Sequence, residues 1–242
     1  MKKYFNVQFE FDHQKLETIV KNKAKEGKGY CCFVDLNSLT NSFKYEKFRI
    51  ILNNSLSNSC DGSYIAMLAS SIHKAPLKEY IAPDFFEEFI YHKNKHLLIG
   101  NTEEVFKKII KKVAKRNTHA DNLNYLYVPF LTVDQFDYIE ISKAINKLSP
   151  DYMWISLGAP KQEFFMSKLL PHISRGVMLG VGASTNYFSG EIKDIPKWAK
   201  KLKIIWLYRL CTEPKKQAKR IWNALFILPM LILNEKRMLK NK

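Results

Sequence analysis

The chain has 242 residues, 46% of them hydrophobic and 13% aromatic, with a formal net charge of +16. Such a composition excludes a disordered segment and suffices for one α/β domain with an appendage. The charge is uneven: residues 191–242 hold 14 Lys/Arg against 4 Asp/Glu, which points to a polyanionic partner such as a phosphorylated substrate, nucleic acid or an anionic membrane surface.

The opening MKKYFNVQFEFDHQKLE has no continuous apolar run, so a secretory signal is not expected. GYCCFVDLN (29–37) reads as a strand, and NSFKYEKFRIILNNS (41–55) follows with Phe43, Phe48, Ile51 and Leu52 at helical spacing. SYIAMLASSIHKA (63–75) and PDFFEEFIYHK (83–93) are further helices, the second opened by Pro83. KHLLIGNT (95–102) is a strand leading into TEEVFKKIIKKVAKR (102–116), a helix that Thr102 can cap and whose acids occupy the first turn. NLNYLYVPF (122–130) is a third strand and IEISKAINKLS (139–149) a helix; YMWISLGA (152–159) and GVMLGVGAS (176–184) complete the strands. Cys31, Cys32, Cys60 and Cys211 show no Cys-x-x-Cys and no paired His spacing, which suits reduced thiols in a cytosolic protein and gives no metal site. No run of about 18 apolar residues occurs, so no conventional membrane span is expected.

Alternating strands and helices predict a mostly parallel sheet covered on both faces. Ligands of such sheets bind beyond the carboxyl ends of the strands. The turns to inspect are Asp35-Leu36-Asn37, Gly100-Asn101, Gly158-Ala159-Pro160 and Gly182-Ala183-Ser184.

SLGAPKQEFF (156–165) is the most pointed of these. Gly158 lets backbone approach a ligand, and Pro160 can open a helix whose first turn carries Lys161, Gln162 and Glu163. Free N–H groups and the positive end of the helix dipole make that turn a natural diphosphate site. An ordinary strand–helix turn with solvated polar residues fits the same pattern.

LGAPKQE resembles the signature of the WecG/TagA/CpsF family of bacterial glycosyltransferases (glycosyltransferase family 26). Asp61-Gly62 matches the family's Asp-Gly element, GVGAS…SG (180–190) its second glycine-rich strand, and IPKWAKKLKIIWLYRLCTEPKKQAKR (195–220) its closing region. The resemblance covers roughly residues 30 to 225. It implies a Rossmann-like domain of the GT-E type over residues 1–195, and a basic, helical, membrane-associating appendage over 196–242. It further implies transfer of a sugar, by default an N-acetylhexosamine such as N-acetylmannosamine, from a UDP-sugar to a polyprenyl-diphosphate-linked acceptor. The transfer inverts the anomeric centre, needs no metal or other cofactor, and serves a surface polysaccharide at the inner face of the membrane. The lack of any Asp-x-Asp agrees with metal independence.

On that resemblance Asp61 is the general base that inversion requires, although a residue ahead of a helical run can equally be a cap. Gln162 is expected on the donor sugar or its phosphate and Lys161 near the diphosphate, with Glu163 orienting Lys161 or capping its helix. Asn37 is expected on the sugars. Gly100, Asn101, Gly158 and Gly182 would admit the nucleotide. Arg209, Lys216 and Arg220 would neutralise the diphosphates in place of a metal. IWNALFILPMLIL (221–233), interrupted by Pro229 and flanked by basic residues, suits the bilayer interface or a core-docked terminal helix. Asp35, Glu79 and Thr185-Asn186 depart from the family pattern; either the site is retuned for a different sugar or activity is lost, and the retention of Asp61, Gln162 and Arg209 favours retuning. The rivals are a nucleic-acid-binding protein, disfavoured because charge gathers around an apolar segment, and a non-catalytic membrane-docked partner of an assembly complex.

Overall fold

The chain opens with a hairpin, β1 (Lys2–Tyr4) and β2 (Val7–Phe9), closed by Phe5 and Asn6, both left-handed at φ 54° and 61°. This computed structural model describes residues 2–116, 119–193 and 214–240, excepting the side chains of 215–217 and 219–221. Helix α1 (His13–Glu26) follows, its first turn capped by Asp12, which accepts the Lys15 N–H at 3.0 Å. The sequence reading assigns nothing before residue 29. The hairpin has no Gly to announce its turn, and α1 buries only Leu16, Val20 and Ala24 along a Lys-rich surface.

Six strands form one sheet: β3 (Lys28–Val34), β4 (Ser57–Cys60), β5 (His96–Ile99), β6 (Leu123–Leu126), β7 (Tyr152–Ile155) and β8 (Gly176–Gly180). Their spatial order is β4-β3-β8-β7-β5-β6, every pairing parallel. The α/β architecture with helices on both faces is as expected. The helices in chain order are α2 (Leu36–Lys44), α3 (Glu46–Asn53), α4 (Ser63–His73), α5 (Ala82–Phe89), α6 (Glu103–Ala114), α7 (Tyr138–Leu148), α8 (Lys161–Leu169), α9 (Ser184–Ser189) and α10 (Pro214–Lys240). The single helix expected over 41–55 is two, because Tyr45 turns extended (φ −118°, ψ 105°) and both ends α2 and starts α3.

Two apolar cores lie on opposite faces of the sheet. One gathers Leu39, Phe48, Leu52, Ile65, Phe165, Met166 and Leu169 from α2, α3, α4 and α8. The other gathers Leu16, Val20, Phe85, Phe86, Val105, Ile109 and Trp154 around α1, α5 and α6. Strand β4, SNSC, is buried along its whole length yet polar. Asn58 Nδ2 donates to the Gln8 and Leu52 carbonyls, both at 2.8 Å, and Ser59 Oγ to the Tyr80 carbonyl at 2.6 Å. Hydrogen bonds to backbone offset the desolvation of these side chains.

Helix α10 runs unbroken through Pro229, where the sequence suggested an interruption. Ala224, Ile227 and Leu231 face the core, and Glu235 is 2% exposed. The Glu235 carboxylate accepts the Phe5 N–H at 2.7 Å and contacts His73 Nε2 at 2.7 Å. On the other side Trp222, Leu225, Phe226, Met230 and Leu233 are all more than half exposed. Their spacing of three and four residues makes a continuous outer stripe. No helix among the described residues is long and apolar enough to cross a membrane. The expected domain boundary at 195/196 lies outside the described residues.

Candidate active site

The carboxyl ends of β4, β3, β8, β7 and β5 form a row at one edge of the sheet. At the spacing of neighbouring strands, the ends of β4 and β7 stand about 14 Å apart. Connections from β7 and from β5 leave in opposite directions, β7 toward β8 and β5 toward β6, so the crevice between them is a topological switch point.

Asp35 follows β3 and caps α2, its Oδ1 accepting the Ser38 N–H at 2.7 Å. Asn37 lies in the first turn of α2, half-buried. Asp61 follows β4, its N–H donating to the Val34 carbonyl at 3.0 Å. The alternative role suggested for Asp61, capping the helix after it, is not what it does. Gly62 is the N-cap of α4 and makes no side-chain cap. Asp61 Oδ1 instead accepts the Ala82 N–H at 3.2 Å, at the start of α5. The carboxylate is thereby tied across the end of the sheet, not along its own chain.

After β5, Gly100 and Asn101 are consecutive left-handed residues, φ 85° and 68°. A Cβ on Gly100 would lie 2.8 Å from the Leu157 side chain and 3.0 Å from the Ser156 carbonyl, so only glycine fits. Asn101 Nδ2 donates to Thr185 Oγ1 at 3.0 Å and to Asn186 Oδ1 at 2.5 Å. Ser156 Oγ donates to the Gly182 carbonyl at 2.6 Å and pairs with Thr185 Oγ1 at 2.8 Å. The turns after β5, β7 and β8 therefore lock together through Thr185 and Asn186, two positions where the sequence departs from the family pattern.

Gly158 is exposed and left-handed (φ 76°), and a Cβ there would meet nothing within 4 Å. The Ala159–Pro160 peptide is cis, and α8 starts at Lys161. Gln162 and Glu163 are buried, at 3% and 1% exposure, so the view of this turn as carrying solvated polar residues fails for these two. Gln162 Nε2 donates to the Gly180 carbonyl at 2.8 Å and to Glu163 Oε1 at 3.1 Å; its Oε1 accepts the Gly158 N–H at 3.2 Å. Cβ atoms on Gly180 and Gly182 would approach the Gln162 amide to 3.1 and 3.5 Å. Gly180, at the end of β8, thus makes room for a glutamine amide.

Glu163 bonds Gln162, whereas the sequence reading has it orienting Lys161 or capping its helix. Lys161 Nζ stands 4.8 Å from the Phe130 ring centroid and 5.1 Å from that of Phe136, in cation–π range. Burial pushes the Glu163 carboxyl up to about 7, with the charge of Asp35 adding to the effect. Burial likewise holds the thiols of Cys32 and Cys60 above their ordinary range.

The structure thus joins Gly100, Asn101, Gly158, Gln162, Glu163 and Gly182 in one corner, and sets Asn37 and Asp61 on the neighbouring strand ends. Arg209 lies outside the described residues, as do the side chains of Lys216 and Arg220. Sequence reasoning assigned no role to Ser156 or Phe130, because an isolated serine and an isolated phenylalanine carry no spacing signal.

The family described as Glycosyl transferase WecG/TagA/CpsF matches residues 3–242. The chain is similar to the N-acetylglucosaminyldiphosphoundecaprenol N-acetyl-β-D-mannosaminyltransferase of Bacillus subtilis (strain 168), 26% identical over 188 residues, 75% of this chain and 69% of the relative. It is similar to the Bacillus spizizenii protein of the same name, 27% identical over 71% of this chain and 65% of that one. The Staphylococcus aureus (strain NCTC 8325) protein of that name is 36% identical over 76 residues, 31% of this chain and 30% of that one. The chain thus spans about two thirds of the length of the two Bacillus relatives.

Proposed function

Because the chain belongs to the WecG/TagA/CpsF family of glycosyl transferases, we propose that it moves an N-acetylhexosamine from a UDP-sugar to a polyprenyl-diphosphate-linked acceptor. The names of its relatives supply the default pair: N-acetylmannosamine as the sugar transferred, N-acetylglucosaminyl-diphosphoundecaprenol as the acceptor. The observation that carries the reading is the shared edge of the sheet. An open glycine turn leads from β7 into α8 and a carboxylate follows β4, on strand ends about 14 Å apart by strand spacing, room for a donor diphosphate and an acceptor hydroxyl to meet between them.

In this reading the Gly158 turn and the dipole of α8 receive the donor diphosphate. Lys161 swings from Phe130 to the phosphates, and Gln162 holds the turn in shape. Asn37 contacts the sugars. Asp61 takes the acceptor hydroxyl proton as that oxygen attacks the anomeric carbon opposite the leaving UDP, which inverts the centre. Arg209, Lys216 and Arg220 neutralise charge on the departing UDP without a metal. Asp35 adds negative charge beside Asn37 and so disfavours an acidic donor sugar. The outer stripe of α10, with exposed Lys236 and Arg237, lies on the inner face of an anionic membrane, where the acceptor resides.

The test offers the pure protein a lipid-diphosphate-linked N-acetylglucosamine and a panel of UDP-sugars in a chelating buffer. Transfer of one neutral N-acetylhexosamine with inversion is expected. Absence of transfer from every donor, with vesicle binding intact, would sink the reading in favour of a non-catalytic partner.

A further inference from the structure

The Gln162 amide has an orientation that its surroundings dictate. Both Nε2 hydrogens are used, on the Gly180 carbonyl and on Glu163 Oε1, and Oε1 receives the Gly158 N–H. A flipped amide would set its oxygen against two acceptors and its NH2 against a donor. One side-chain partner in this set can be altered without touching the backbone: Glu163. Its Oε1 is the acceptor, while its Oε2 is buried with no hydrogen-bond partner among the described residues.

We propose that Glu163 is a positioning residue whose carboxyl fixes the Gln162 amide and, through it, the Gly158 turn in the shape that receives the donor diphosphate. The inference deepens the transfer reaction proposed above and rests on it for the identity of the ligand. Glu163 acts through Gln162 and touches no reacting atom. The acid form suits this task, because it accepts from Gln162 through one oxygen without placing a charge in a site that must take up a dianionic diphosphate. The titratable groups whose charges couple to it are Asp35, at the start of α2, and Cys32 of β3; β8 presents only Gly180 beside Gln162, and Lys161 of its own helix faces Phe130 and Phe136. The Lys161 ammonium lies over those rings, and burial and Asp35 raise the carboxyl to about 7. Its own backbone amide and the Gln162 amide oppose that rise only in part. Ionisation puts a second negative charge beside Asp35 and weakens the hold of the turn on a diphosphate.

The test reads the free protein first. In the full-length chain, the Gly158 backbone N–H and Gln162 side-chain NH2 resonances are followed by NMR between about pH 6 and 8. They move together with one midpoint in the wild type and stay fixed in Glu163→Gln, which keeps an acceptor oxygen without the titration. Wild-type resonances that do not move, or that move equally in Glu163→Gln, overturn the inference, and the wild-type result decides alone where the variant fails to fold. In the transfer assay the wild-type KM for the UDP-sugar rises with pH across this range while kcat changes little. Glu163→Gln flattens that rise, and Glu163→Ala raises KM about tenfold at every pH, the worth of one hydrogen bond. Wild-type protein inert toward every UDP-sugar would defeat the proposed donor, and the NMR titration would still decide the positioning role.

Discussion

The two halves of the strand-end row are built differently. After β5, β7 and β8, side chains bond to backbone and to one another: Asn101 to Thr185 and Asn186, Ser156 to Gly182, Gln162 to Gly158, Gly180 and Glu163. After β3 and β4, two carboxylates each accept a backbone N–H at the start of a helix, Asp35 from Ser38 and Asp61 from Ala82. The first half is held at several points, and under the proposed transfer such a turn would keep its N–H groups aimed at a diphosphate. The second keeps two carboxylates at the strand ends, where the proposed reaction sets the sugars. Substitutions should therefore separate, with shape and stability lost from the first half and chemistry from the second.

The largest expected effect belongs to the second half: Asp61→Asn lowers kcat by about 10²- to 10⁴-fold. It leaves thermal stability nearly unchanged, because the amide oxygen still accepts from Ala82. In the first half, Gln162→Ala strips partners from the Gly158 N–H, the Gly180 carbonyl and Glu163 in a buried space, and costs about 2–3 kcal/mol of stability. Denaturant unfolding measures it. Helix α10 sharpens the comparison by carrying both kinds of surface. Leu231→Ala costs about 2–5 kcal/mol because Leu231 is 2% exposed. Phe226→Glu on the outer stripe leaves unfolding within about 0.5 kcal/mol but weakens binding to anionic vesicles.

The effect hardest to isolate is a pH dependence that must be measured as a difference. Glu163 is raised from 4.5 to about 7, so the folded chain keeps a proton there that the unfolded chain releases. Its contribution to stability is present below about pH 4.5 and is lost as pH rises to about 7. Burial lowers His96 from 6.5 to about 4, and its Nδ1 accepts from Trp154 Nε1 at 3.1 Å. That group has the opposite sign over nearly the same range, since the unfolded chain takes up the proton first as pH falls. The two offset each other in the wild type. Subtracting the wild-type curve from that of Glu163→Gln exposes the first, on the order of 2 to 3 kcal/mol between pH 4.5 and 7.

Much of the fold was legible because β3, β5, β7 and β8 are short apolar runs that end in Gly, Asn or Asp. β4 was not, since its polar residues are buried, Asn58 and Ser59 with partners distant in sequence at Gln8 and Tyr80, which no local pattern reveals. The hairpin escaped because Phe5 and Asn6 adopt left-handed φ without a glycine to signal it. At the site, Gly158 could be placed beyond a strand end and Gln162 on the helix after it, while Asp61 was singled out by the family resemblance, ahead of a helix and with no strand read before it. Their bonding could not be read. The partner of Asp61 is 21 residues away, at Ala82, and the carbonyl that holds Gln162 is 18 residues away, on β8. Such contacts depend on strand order, and a sequence read from one end to the other does not contain strand order in any local form.

The most direct measurement compares Asp61→Asn with Gln162→Ala in single-turnover transfer at saturating UDP-sugar and lipid-linked acceptor, each beside its unfolding curve. Loss of the chemical step in Asp61→Asn with normal stability, against lost stability and weakened donor binding in Gln162→Ala, is the predicted result. A chemical step that survives Asp61→Asn would contradict the account and move the base to another residue.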